Sequence, residues 1–221
     1  QAARLEDDAR GLYAGLELLP LYMSVRAGVR CHVNANYVGE AHYGMDKARA
    51  YLDAAHRFLD PAPARLTAIG GLSGSGKSTR ARRIAPELGR ATGAVTLRSD
   101  EIRKRLWACP EFERLPREAY TADENSRVYT QMLDLAETTL RAGQAVVLDA
   151  TFREAEWRDR AERLARDCGV GFEGVWLTAA ADVRRTRVEA RVGDVSDATP
   201  DVAAAQGEVD PAALSWRAEA G

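Results

Sequence analysis

A chain of 221 residues has room for one α/β domain with an appendage, or for two small domains. Its 31 basic and 33 acidic residues leave a formal net charge of -2, which argues against a nucleic-acid coat protein with a basic surface. Three widely spaced cysteines, Cys31, Cys109 and Cys168, make neither a disulfide framework nor a CxxC metal pattern, and reduced thiols in a cytoplasmic protein are expected.

The opening stretch "QAARLEDDAR" is charged and has no apolar signal core. No apolar run approaches the roughly 18 residues of a membrane span, so no membrane partner is expected. Gln1 stands where a Met would open a complete chain, and a preceding segment is expected. Residues 3–59 read as helices, with apolar side chains at spacings of three and four in "LYAGLELLPLYMSVRAGVRCHV". Pro20 starts a second helix or kinks the first. "MDKARAYLDAAHRFL" predicts a third helix with Tyr51, Leu52, Ala55 and Leu59 along one face. "DPAPAR", residues 60–65, holds two prolines and reads as a linker, dividing a helical segment (1–60) from the remainder (61–221).

Beyond the linker, short β-rich runs alternate with longer helical ones. The strands are "LTAIG" (66–70), "AVTLR" (94–98), "AVVLD" (145–149) and "FEGVWL" (172–177). Such alternation predicts a parallel sheet covered by helices. The tail predicts a helix near 200–206 and a last short strand near Trp216.

"GLSGSGKS", Gly71 to Ser78, fits G-x-x-x-x-G-K-[ST] between a predicted strand and the helix "KSTRARRIAPEL". Phosphate oxygens must be met there by several backbone N–H groups at once, and side chains would block the approach, hence Gly71, Gly74 and Gly76. Leu72, Ser73 and Ser75 complete the loop, and Thr79 follows it. The next helix aims its N-terminal dipole and free N–H groups at the anion. Lys77 brings positive charge to the β and γ phosphates, and Ser78 offers a hydroxyl to Mg²⁺. With no N/T-K-x-D guanine signature, ATP is the expected nucleotide.

The acceptor side should lie at the C-terminal ends of the other strands. After the second strand, Asp100 and Arg103 in "LRSDEIRKRL" fall on nearly one helix face. A carboxylate there can accept a hydroxyl proton, and the arginine can hold an anionic acceptor group. The alternative is a plain helix cap with a solvated arginine. Arg103, Lys104 and Arg105 together suit an anionic acceptor, or a charged surface. Asp149 ends the third strand, where it can position Mg²⁺ through water or serve as a turn residue. Thr151 and Arg153 follow and are expected to line the cleft. "DVRRTRVEARVGDVSD" carries Arg184, Arg185, Arg187 and Arg191; the last two share a helix face and can neutralise a developing phosphate charge, or belong to a solvated helix.

Residues 66 to about 207 resemble the small P-loop kinases grouped with polynucleotide kinase, gluconate kinase and zeta-toxin-like proteins, which are ATP-binding domains of the AAA type. The P-loop, the D-x-x-R of Asp100 and Arg103, the "VVLDAT" strand end and an R-x-x-x-R lid carry the resemblance. It implies a three-layer α/β/α P-loop NTPase with a parallel sheet of order 2-3-1-4-5 and a helical N-terminal extension. It implies Asp100 as general base and Arg103 on the acceptor side, with Arg187 on the adenine and Arg191 on phosphate. Where gluconate kinases follow that arginine pair with a histidine, Asp194 stands here. The whole chain resembles the C-terminal part of bacterial proteins that join an aminoglycoside-phosphotransferase-like domain to a P-loop kinase, which makes such an upstream domain an expected partner. No H-x-D loop follows His32, His42 or His56, so residues 1–59 are read as a packing appendage. The expected activity is transfer of the ATP γ-phosphoryl group, with Mg²⁺, to the hydroxyl of a small molecule or of a nucleic-acid 5′ end. The alternative is a nucleotide-controlled switch that hydrolyses ATP slowly and moves a partner domain.

Overall fold

The computed structural model describes residues 8, 10–36, 41–190, 195–197 and 214–221. Five strands, β1 (Arg65–Gly71), β2 (Val95–Arg98), β3 (Val146–Asp149), β4 (Gly171–Thr178) and β5 (Arg217–Ala220), form one sheet of order β2-β3-β1-β4-β5. All four pairings are parallel, as the alternating sequence pattern predicts. Helices follow the strands: α3 (Lys77–Ile84), α4 (Ser99–Leu106), α5 (Ala122–Arg141), α6 (Ala155–Asp167) and α7 (Ala181–Glu189).

Alternate residues of β1, β3 and β4 enter different cores. Leu66, Ala68, Val146, Leu148 and Trp176 pack with Ile102, Met132, Leu135 and Ala161 from the helices on one face. Ile69, Val147, Val175 and Leu177 pack with Ala81 and Ala85 on the other. With both faces covered, every strand position favours an apolar side chain, which is why β1 and β3 read as continuous apolar runs. The result is the three-layer α/β/α architecture of P-loop NTPases. Register places Asp149 of β3 opposite Ile69 of β1 and Arg98 of β2, so three strand ends open on one edge of the sheet. That edge is where parallel α/β sheets hold ligands.

Two boundaries differ from expectation. Helix α3 stops at Ile84 instead of running to Leu88, because Pro86 falls in a 3₁₀ turn, Ala85–Glu87, that ends the helix. The third N-terminal helix starts at Ala41, four residues early.

In the N-terminal region, a 3₁₀ turn (Gly15–Leu18) leads into α1 (Leu19–Ala35), with Pro20 in the first turn where its missing N–H costs nothing. Helix α2 (Ala41–Leu59) packs on α1. The expected apolar face of α2 is only partly covered: Ala55 is buried, whereas Leu52 and Leu59 are 46% and 55% exposed. Ala48 and Ala55 are the buried alanines of α2, while Leu52 and Leu59 on its outer stripe stay open among the described residues. The region is tied to the sheet by Tyr13 against the larger core, by Arg10 Nη2 to Asp134 Oδ2 at 3.0 Å, and by Arg90 Nη2 donating to Leu16 O at 3.0 Å. Residues 60–64 have no regular structure. No helix among the described residues is long and apolar enough to cross a membrane. The helix expected at 200–206, Arg191 and Asp194 lie outside the described residues.

Candidate functional site

The loop between β1 and α3 turns on glycines, and at two of them a side chain would collide with neighbouring atoms. A Cβ on Gly71, at φ 141°, would stand 2.6 Å from Leu177 O and from Ser75 Oγ. One on Gly74, at φ 83°, would run into the Arg184 backbone. Gly76, in the left-handed region at φ 92°, precedes the first residue of α3. Ser75 N donates to Leu72 O at 3.1 Å and Lys77 Nζ donates to the same oxygen at 3.0 Å, so Leu72 supplies the loop's internal acceptor. Thr79 is exposed on α3. Ser78 Oγ donates to Asp149 Oδ2 at 2.6 Å and accepts from Arg98 Nη2 at 3.3 Å. Arg98 Nε lies 3.3 Å from the same Asp149 oxygen. Arg187 reaches over the loop, Nη1 at 3.5 Å from Gly74 O and Nη2 at 3.3 Å from Gly221 O. Arg185 faces outward, 3.9 Å from Glu189.

Ser73, Lys77, Ser78 and Asp149 share one cavity of about 420 Å³ with Asp100 and Arg103. Asp100 does not cap its helix: α4 begins at Ser99 and Arg98 occupies the cap position without a side-chain bond. Burial pushes the Asp100 carboxyl above its ordinary value; the Ser196 hydrogen bond opposes this, Asp149 adds to it, and the Lys77 and Arg98 charges oppose it. Arg103 is not solvated. It is 5% exposed, donates through Nη1 to Ala119 O at 2.6 Å and through Nη2 to Asn125 Oδ1 at 2.7 Å, and lies 4.8 Å over the Tyr120 ring. Lys104 is buried too: Nζ donates to Glu111 O at 2.6 Å and Glu113 O at 2.8 Å, and pairs with Asp197 Oδ1 at 3.2 Å. Arg105 is exposed and away from the cavity lining. The three-residue basic cluster is therefore divided: two members hold the wall together and the third faces solvent.

Comparison with known proteins bears on this arrangement. A family model described as an AAA domain matches residues 66–209. The chain belongs to that family. It is 34% identical over 202 residues to proteins described as uncharacterized from Mycobacterium tuberculosis (strain ATCC 25618 / H37Rv) and Mycobacterium bovis (strain ATCC BAA-935 / AF2122/97), with 87% of this chain and 39% of each relative covered. The chain thus spans about two fifths of the length of the curated relatives it matches. Among solved structures, it is similar to a sugar kinase from Janibacter sp. HTCC2649, with a TM-score of 0.50 and 18% identity over 72% of this chain and 84% of that one. The likeness to that structure is one of fold. The match to the AAA domain family spans the P-loop and the other strand ends of the cavity, and starts past the α1–α2 hairpin.

The residues fit a nucleoside triphosphate and a hard cation. The loop offers backbone N–H groups around glycines and a buried hydroxyl, Ser75 Oγ, that has no hydrogen-bond partner among the described residues. The Ser78 hydroxyl and the Asp149 carboxylate are oxygen donors of the kind Mg²⁺ takes. Among the described residues no three or more His, Cys, Asp or Glu side chains form a metal cage.

Several cavity residues escape sequence reasoning. Thr151 and Arg153 line it as expected, but the loop they occupy is held by Phe152, fully buried with a left-handed φ of 48°. Phe152 N donates to Tyr129 Oη at 2.9 Å, and Arg158 Nη1 donates to Phe152 O at 2.7 Å. Strain of this kind persists only where surroundings over-determine it, and here it keeps residues 151 and 153 on the cavity. Asp197 is the other surprise. Burial opposes its ionisation, yet the Leu115 N–H, the Tyr120 hydroxyl at 2.7 Å and Lys104 hold its carboxyl below the ordinary value. Those contacts bring Ser196 to Asp100.

Proposed function

We propose that the protein is an ATP-dependent phosphotransferase that passes the γ-phosphoryl group to an acceptor hydroxyl. One observation carries the reading: a candidate base, Asp100, opens into the same cavity as the P-loop lysine and serine and the Asp149 carboxylate. Mg²⁺-bound ATP would supply the activated phosphoryl group. The loop N–H groups of Gly71 to Ser78 grip the phosphates, Lys77 and Arg191 balance their charge, Arg187 meets the adenine, and Ser78 and Asp149 hold the cation. Asp100 takes the proton of the acceptor hydroxyl; its hydrogen bond from Ser196 is the same kind of O–H contact an acceptor would make. Arg103 is a positioning residue, fixing the Ala119 carbonyl and Asn125 in the acceptor wall. A switch without an acceptor has no need of a carboxylate so placed. The description of the Janibacter neighbour as a sugar kinase agrees with the reading.

The test is ATP consumption with Mg²⁺, alone and with nucleosides, sugar acids, aminoglycosides, nucleotide sugars and 5′-hydroxyl oligonucleotides. Stimulation by one class, lost in Asp100→Asn, is the expected result. Slow turnover that no acceptor raises would favour the switch.

A further inference from the structure

Five cationic side chains line the cavity, and three have internal tasks. Lys77 belongs to the phosphate loop, Arg98 pairs with Asp149 at 3.3 Å, and Arg103 is bonded to Ala119 O and Asn125. Two remain. Arg117 opens the 3₁₀ turn Arg117–Tyr120 ahead of α5, and Arg153 sits on the loop after β3. Both are exposed, and among the described residues neither guanidinium has a hydrogen bond or an ion pair. The four carboxylates of the lining do not answer them. Asp149 is taken by Ser78 and Arg98, Asp100 accepts from Ser196, Asp197 is taken by Lys104, Tyr120 and Leu115 N, and Glu154 stands at the N-terminal cap of α6, where the helix dipole already favours a negative charge. The backbone that carries Arg153 is fixed beside the cavity by the buried Phe152 and by Arg158, which donates to Arg153 O at 2.8 Å.

Resting on the phosphotransferase reading, we propose that Arg117 and Arg153 form an anion subsite for the acceptor, which is a small molecule carrying a phosphate, sulfate or carboxylate besides its reacting hydroxyl. Guanidinium groups bind such anions through paired, charge-assisted hydrogen bonds. The task that the D-x-x-R spacing would give to Arg103 falls to these two arginines, because the two Nη groups of Arg103 hold protein atoms. A cavity of about 420 Å³ is of the size that encloses small ligands. A single strand of nucleic acid is instead held by a basic groove that tracks its backbone, which a net charge of -2 does not favour.

Two readings test it, one independent of turnover. Sodium sulfate is titrated calorimetrically into the protein saturated with Mg²⁺ and AMPPNP, which keeps the probe off the P-loop. Sulfate should bind, and Arg117→Gln/Arg153→Gln should weaken it at least about tenfold while AMPPNP affinity is retained. Equal sulfate affinity in the variant, or none in either protein, overturns the subsite. In turnover, matched pairs are compared: gluconate with glucose, a nucleoside 3′-phosphate with its nucleoside, and a 5′-hydroxyl oligonucleotide. The anionic small molecule should be preferred, and the double variant should collapse that preference in kcat/KM at least about tenfold. Turnover indifferent to acceptor charge, or an oligonucleotide preferred over every small acceptor, overturns the proposal and leaves the phosphotransferase reading intact. Sulfate binding lost in the variant, in a protein that phosphorylates nothing, upholds an anion site and sinks the kinase.

Discussion

Helices α1 and α5 carry the same sequence signal and meet opposite fates. Both repeat apolar residues at spacings of three and four. Helix α5 spends that face on the sheet, burying Val128, Met132, Leu135, Ala136 and Leu140. Helix α1 buries only Pro20 and Ala27, and leaves Tyr22, Val25, Val29 and Val33 each more than half exposed. A helical period identifies a face and is silent about what covers it. In this molecule the covered region also holds every residue of the cavity, so stability and chemistry should both be lost from the sheet and neither from the hairpin.

The widest gap between the regions should come from Asp100→Asn. Turnover should fall by about 10²–10⁴ while AMPPNP titration shows retained affinity, since the loop that grips phosphate is untouched. Turnover within the wild-type range would remove Asp100 as the base. Next in size is the core. Leu148, fully buried in β3, should cost about 2–5 kcal/mol when cut to Ala, read as a lower urea midpoint with the slope unchanged. A loss below about 1 kcal/mol there would mean that the two cores are not the seat of stability.

A smaller effect separates the two roles of Asp100. Its folded pKa is raised, so its protonated form is favoured by folding. The stability it contributes is fully present below the unfolded value, about 3.9, and is lost as pH rises through the folded value. Asp100→Asn, without magnesium or nucleotide, should therefore match the wild type in acid and exceed it in Tm at neutral pH. The rate runs the other way, because a base must be ionised: activity should fall with acid at a higher pH than an ordinary carboxylate would set. A variant less stable than the wild type at neutral pH would contradict the burial of this carboxyl.

What could be read from the chain follows the same division. Strands β1 and β3 were legible because a sheet covered on both faces makes an apolar run independent of side-chain direction. The phosphate loop was legible because its spacing is local and its glycines answer to backbone geometry at Gly71 and Gly74. The spacing of Asp100 and Arg103 told of a shared face, not that Arg103 would be claimed by Asn125, 22 residues on. Tyr120, Ser196 and Asp197 reach the cavity through contacts distant in sequence, such as Lys104 with Asp197, and Arg117 arrives with the turn whose Ala119 carbonyl Arg103 holds; no local pattern announces them. Phe152 reads as one more apolar residue after a strand; its left-handed backbone is set by Tyr129 and Arg158.

The smallest expected effect is the one that could undo the comparison. Val25 and Val29, 57% and 59% exposed, lie four apart on the outer stripe of α1. An exposed side chain has already lost its gain from burial, so Val25→Ser and Val29→Ser should each change stability by no more than about 0.5 kcal/mol. Serine has a helix propensity close to valine's, so the helix itself should notice little. Urea midpoints equal to the wild type, with unchanged AMPPNP affinity, would keep the hairpin outside the stability and chemistry of the sheet. A loss of about 2 kcal/mol from either would mean that the stripe is covered in solution, and α1 would then join α5 as a helix whose apolar face has a partner.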